Sequence, residues 1–283
     1  MRGLIRHPED ITLQDEMRAV RSVGRIRLEF ARLARAGQSQ LLISDENLIG
    51  SSRHNIKVKS VYPMVYERLL RFKPVFDGHS LRIGIGIRSY EDFWASVLAY
   101  CLQRGGAKPT VDDLDLLTTQ PRRWRQVIRD IASVFPQADL FVYPFERFAD
   151  HPASVLDAFC DGSSTSLPNA FKILGQSPNI GELNTLLTLR GERRLDGGAG
   201  ADHRRWMPFD EHQRAVLRAE YRRDLSWLKA GGEGLARYVD GRITPATMPD
   251  RATDETRAAP EVVTLLKGQT DGIEERLERP RTG

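Results

Sequence analysis

Residues 81–100 read LRIGIGIRSYEDFWASVLAY, and this stretch decides the fold class. Its first seven residues are apolar almost throughout, as a parallel strand covered on both faces requires. Ser89 can cap the helix that follows, and Glu91 and Asp92 fall in its first turn, where the helix dipole favours acids. That helix is expected to run to about Arg104 and to stop at Gly105-Gly106. A strand passing directly into a helix is one half of a βαβ unit.

The same alternation continues on both sides. Toward the C-terminus, RRWRQVIRDIASVF (122–135) puts Trp124, Val127, Ile128, Ile131 and Val134 on one helical face. DLFVYPF (139–145) is a second buried strand, halted by Pro144, and a helix carrying Val155, Leu156 and Phe159 is expected after His151-Pro152. Toward the N-terminus, LLIS (41–44) reads as a short strand with a polar end, and a helix fits 64–72. Thr12 with Asp15 opens a long helix as a hydroxyl cap followed by an acid. Met17, Val20, Ile26, Phe30 and Leu33 form the face of that helix expected to bury, and Gly37 its stop. An amphipathic helix over 209–228 carries Val216, Leu217, Tyr221, Leu225, Trp227 and Leu228.

These elements predict an α/β domain over 1–243, a three-layer parallel sheet flanked by helices. Residues 162–200 are loop-rich, and 244–283, opening TPATMPDRATDETRAAP, read as a disordered tail with at most a short helix near 262–266.

Composition narrows the function classes. The chain has 283 residues and a net charge of +4, with arginine the dominant cation. A mild positive balance suits a phosphate-bearing ligand or acidic partner. The arginines are scattered among acids, unlike the concentrated basic stripe of a nucleic-acid module, so no nucleic acid is expected. No apolar run reaches the roughly 18 residues of a membrane span, and the first residues lack a secretory signal. Cys101 and Cys160 make no disulfide framework, and each reads as a small buried hydrophobe. A cytoplasmic setting is expected. The histidines show no metal-ligand spacing, so no metal is expected either.

Arg88 lies at the carboxyl edge of its strand, where open α/β sheets hold ligands. Ser96 follows eight residues later, and Tyr100 one turn beyond. A guanidinium offers a phosphate a bidentate fork, and a hydroxyl adds a donor with little bulk. This pattern resembles the 3′-phosphate site of the P-loop sulfotransferases, which take 3′-phosphoadenosine 5′-phosphosulfate as donor. The family's usual Arg-Asn-Pro or Arg-Asp-Pro opening is here Arg88-Ser89-Tyr90. VYPFERFADHPASVLDAF resembles the family's later strand, acidic turn and helix, with Glu146 and His151-Pro152 in the places of its Tyr-Glu pair and Asp-Pro helix start. EYRRDLSWL (220–228) resembles its closing helix, and LLISDENLIG its strand with a Ser-Glu step. The resemblance covers roughly residues 40–230, in the family's order.

What the resemblance implies is sulfuryl transfer to a hydroxyl or amine acceptor, a small molecule or glycan that the sequence does not identify. Oligomeric state is equally open. Arg88 and Ser96 become the cofactor-binding pair, and Asn179, before Ile180-Gly181, stands where bacterial members carry an Asn-x-Ser step near the nucleotide. Glu46, with Asp45 and His54 behind it, is the candidate base, the alternative being a loop-ordering carboxylate. Arg122, Arg123 and Arg125 either meet an acidic acceptor or form a solvated helix face. Arg190-Gly191 loosely resembles the family's late Arg-Lys-Gly contact.

The family's first strand leads into a loop of the type Gly-x-x-Lys-Thr-Gly-Thr-Thr, whose backbone N–H groups cradle the 5′-phosphosulfate. No such sequence occurs here. Gly84-Ile85-Gly86 lies inside a strand, and Gly197-Gly198-Ala199-Gly200 has no strand before it. One expectation is a start placed downstream of roughly 50–70 further residues. The other is a non-catalytic relative that has lost the loop and binds a nucleotide, glycan or protein. The first is favoured, because the strand before that loop is normally central, and its loss is expected to leave a gap in the sheet and bare apolar edges.

Overall fold

Thr12 and Asp15 form the expected reciprocal cap. The Thr12 hydroxyl accepts the Asp15 N–H, and the Asp15 carboxylate accepts the Thr12 N–H at 3.3 Å, which opens α1 (Leu13–Arg35). Gly37 closes that helix with φ of 79°, and the Gln38 N–H reaches back to the Leu33 carbonyl at 3.0 Å. A left-handed residue in that place favours glycine.

The chain then runs β1 (Gln40–Ser44), α2 (Ser52–Val58), α3 (Val65–Phe76), β2 (Leu81–Ile87), α4 (Tyr90–Gln103), α5 (Val111–Thr119), α6 (Trp124–Val134) and β3 (Asp139–Pro144). After these come α7 (Phe145–Phe148), α8 (Pro152–Phe159), α9 (Ile180–Leu189), α10 (Glu211–Lys229), β4 (Arg237–Tyr238) and β5 (Glu261–Lys267). This computed structural model describes residues 8–45, 47–149, 152–159, 176–196, 202–240 and 261–267.

The five strands form one parallel sheet in the order β1-β5-β2-β3-β4, flanked by helices. Two expectations are corrected by β5. The 244–283 region contributes a strand, not a short helix near 262–266. No gap opens between β1 and β2, because β5 pairs Thr264 with Ile43 on one side and with Ile83 on the other. Val262, Leu265 and Leu266 fit helical spacing, but the free edges of β1 and β2 on both sides select the extended form.

The core explains the apolar runs. Ile83, Ile85 and Ile87 of β2 are buried, as are Leu140, Phe141, Val142 and Tyr143 of β3. Gly86 is opposite Tyr143 in register, and a side chain there would meet the Tyr143 ring at 3.1 Å. Gly86 therefore serves packing, not phosphate binding. On α4 the buried residues include Tyr90, Phe93, Trp94, Val97, Leu98 and Leu102. Trp124, at 0% exposure, stacks on Tyr90 with 16° between the rings and meets Phe93 edge-on.

Helix α1 departs from expectation. Ala19 and Phe30 are buried, with Val23 and Ile26 packed behind them, while Met17 and Val20 are 51% and 70% exposed. Helices α2, α5 and α9 were not anticipated. Two loops and the end of α4 are fastened by arginines that donate to backbone carbonyls. Arg68 Nη2 reaches the Asn47 carbonyl at 2.5 Å, Arg122 Nε that of Val61 at 2.8 Å, and Arg190 Nη2 that of Leu102 at 2.8 Å.

Candidate anion-binding site

Strand β2 ends at Ile87, and the next residue begins the site. Arg88 Nη1 donates to Ser96 Oγ at 3.0 Å, so the eight-residue spacing brings the two side chains together. The strand delivers Arg88 to the sheet's carboxyl edge. The helix, capped by Ser89, returns Ser96 to the same place in its second turn. Ser96 is only 2% exposed.

Two further groups join them that the sequence did not reveal. Ser177 Oγ lies 3.0 Å from Ser96 Oγ, and Arg205 Nη2 donates to Ser96 Oγ at 3.2 Å. Arg205 is aimed by α4 itself: Nη1 donates to Asp92 Oδ1 at 2.5 Å and Nη2 to the Asp92 carbonyl at 2.6 Å. Two guanidinium groups thus converge on one serine oxygen, beside a second hydroxyl. Such a set can hold a phosphate, because each fork offers paired N–H donors to its oxygens. The Arg88 guanidinium also lies 5.1 Å from the centre of the Phe145 ring, which restrains its swing.

Behind Arg88 stands a buried network. The Trp124 indole N–H donates to the Arg88 carbonyl at 2.8 Å, and the Trp124 backbone N–H donates to Tyr90 Oη at 2.6 Å. Tyr90 Oη in turn donates to Asp224 Oδ2 at 2.5 Å. Burial raises the Asp224 carboxyl above its usual range despite the Tyr90 bond. Burial also pushes the Tyr90 phenol well up, with the Asp224 charge adding to it. The strand end, α6 and α10 are thereby tied to one carboxylate.

Asn179 stands at the rim but is engaged otherwise. Its side-chain oxygen accepts the Glu182 N–H at 2.9 Å and caps α9, and its backbone forms an isolated bridge with Arg205. It positions Ser177 and Arg205 through the chain. Glu46 lies outside the described residues. Its neighbour Asp45 accepts the Asn47 N–H at 2.8 Å, an ordering contact in the loop. Ser44 is level with Leu265, and Leu265 with Gly84. The end of β1 therefore lies two strand spacings, about 10 Å, to the side of β2 and four residues short of Arg88 along it. His54 is 4% exposed on α2, with Nε2 3.9 Å from Glu9 Oε1, and burial lowers its pKa.

The remaining arginine candidates have structural roles. Arg122 pairs with Asp130, Arg123 with Glu220 at 3.2 Å, and Arg125 covers the Trp227 ring at 5.0 Å. Arg190 fastens the far end of α4, about 20 Å along the helix from Arg88. Cys101 is half-buried, and burial raises its thiol to about 11. Among the described residues no group of three or more His, Cys, Asp or Glu is placed to hold a metal ion. No family model, curated protein or solved structure matches the chain.

Proposed function

We propose that this chain is a sulfotransferase-like protein whose Arg88, Ser96, Ser177 and Arg205 hold the 3′-phosphate of 3′-phosphoadenosine 5′-phosphosulfate. The observation that carries the reading is the 3.0 Å bond between Arg88 and Ser96, set at the carboxyl edge of a parallel sheet. Ligands of open α/β sheets lie at that edge. In the reaction, an acceptor oxygen or nitrogen bonds to sulfur as the bond to the 5′-phosphate oxygen breaks, releasing adenosine 3′,5′-bisphosphate. The acceptor's proton goes to a base, for which Glu46 is the candidate from the Ser-Glu step that the sequence resemblance supplies. Positioning and charge neutralisation supply most of the catalysis in such transfers.

A second reading, a non-catalytic module that binds a nucleotide, glycan or protein, is favoured by one observation. The sequence holds no Gly-x-x-Lys-Thr-Gly-Thr-Thr loop to cradle the sulfuryl group.

Calorimetric titration with adenosine 3′,5′-bisphosphate tests the common core of both. Saturable binding is expected, and Arg88→Ala should weaken it 30-fold or more, about 2 kcal/mol for a charged contact. Arg205→Ala should cost about tenfold, and adenosine 5′-monophosphate, without the 3′-phosphate, should bind no better than the Arg88 variant. A folded chain that binds both nucleotides equally would sink the assignment. Release of the bisphosphate from the donor in the presence of candidate acceptors then separates enzyme from module.

A further inference from the structure

Helix α1 carries two apolar stripes, and only one is used by the fold. Ala19, Val23, Ile26 and Phe30 face the body. On the other side Leu13, Met17, Val20, Gly24, Leu28 and Ala31 follow at steps of four, three, four, four and three residues, one line down a helix. Leu13, Met17, Val20 and Leu28 are 81%, 51%, 70% and 69% exposed, and a side chain added at Gly24 would meet nothing within 4 Å. The stripe is about 27 Å long, from Leu13 to Ala31 at the helical rise.

Its flanks carry one dominant sign. Arg21, Arg25 and Arg32 border it on one side and Arg27 on the other, with Arg35 at its end. Of the acids, Asp15 is buried in the cap, Glu29 is tied to Arg32 at 2.6 Å, and Glu16 lies 3.5 Å from Arg71. We propose that this face of α1 docks on an anionic lipid bilayer, lying in the interface with its arginines among the headgroups. A charged helix with an apolar line and cationic borders has the composition of an interfacial helix. Arginine stems can lie along the apolar boundary while their guanidinium groups reach phosphate. The helix lies on the bilayer and does not cross it, since no helix among the described residues is long and apolar enough to span.

Charge decides against a second copy of the chain as occupant. Antiparallel pairing across Gly24 would gather Arg21 and Arg25 of both copies, and parallel pairing would set every arginine against itself. A coiled-coil seam would also show alternating signs on its borders.

The test is co-sedimentation of the full chain with vesicles of phosphatidylcholine containing one-third phosphatidylglycerol. Binding is expected there and not to pure phosphatidylcholine, and raised salt should weaken it severalfold. Val20→Glu with Leu28→Glu should abolish it while leaving the circular dichroism and melting temperature unchanged, because neither side chain packs on the core. Arg21→Gln with Arg25→Gln should weaken it about 25-fold, about fivefold for each arginine near the surface. No partition of the folded chain onto anionic vesicles would overturn the proposal, as would undiminished binding by the glutamate pair. A dimer in solution that the glutamate pair turns into monomer would also overturn it, assigning the stripe to a second copy.

Discussion

A chain ended at Pro260 is expected to lose cooperative folding. Removing Glu261–Lys267 deletes the strand that pairs with β1 over five residues and with β2 over six. Among the described residues β1 then has no strand partner, and β2 keeps only β3. Isolated strands are marginal in water, and bare apolar edges seek other chains. The shortened protein should show a broad, shallow urea transition and elute partly as aggregate. A finer version leaves the length intact: Thr264→Pro removes one ladder donor between Ile43 and Ile83 and should cost about 3 kcal/mol. An unchanged urea midpoint in both variants would show that the strand contributes nothing to the sheet.

Trp124→Ala is expected to cost about 3–5 kcal/mol, the range for deleting a fully buried large aromatic. The loss has two parts, which Tyr90→Phe helps to separate. Removing the indole empties space between Tyr90, Phe93 and Tyr62 and frees the Arg88 carbonyl. Tyr90→Phe keeps the packing but strips Asp224 of its phenol donor and leaves the Trp124 N–H only the longer 3.2 Å bond to that carboxylate. It should cost about 1–3 kcal/mol, the desolvation penalty of groups left unmatched. Nucleotide binding should fall more in the Trp124 variant than in the Tyr90 variant, since only the first releases the strand end. Equal losses of affinity would show that the indole bond does not position Arg88.

The same network gives an unusual pH signature. Burial raises the Asp224 carboxyl in the folded state. Its contribution is therefore fully present below the unfolded value and is lost as pH rises through the folded one. As pH falls toward the ordinary carboxylate value of about 4, the wild type should gain stability relative to Asp224→Asn, the reverse of an ion-paired carboxylate. Urea midpoints of the two proteins over that fall in pH check the sign.

Much of the sheet and its carboxyl edge was legible because the signals were local. An apolar run ending in Arg88, a serine cap and two acids in the next turn fix strand, edge and helix within twelve residues. Ser96 then follows from helical geometry. Ser177 and Arg205 were not legible: they reach Ser96 from 81 and 109 residues away, and no local spacing records that meeting. Strand β5 was hidden differently. EVVTLLK follows a stretch rich in proline, threonine and charge, and its own spacing fits a helix; only two strands awaiting a neighbour make it extended. On α1 the periodicity was real but double, and the sequence alone could not say which stripe the body would take. Met17 and Val20 belong to the other one.

The cations are divided very unevenly, 35 arginines to 7 lysines. The arginines that fasten Asn47, Val61 and Leu102 hold two loops and the end of α4 by their carbonyls. A planar fork brings several N–H donors in a fixed geometry to a carbonyl, which an ammonium cannot match. The molecule's vulnerability to covalent reagents is therefore lopsided. Acylation of amines would take few groups that the fold depends on. A dicarbonyl that condenses with guanidinium would meet the exposed arginines first and reach Arg68, 2% exposed, only once its loop had opened, so modification and unravelling would reinforce each other.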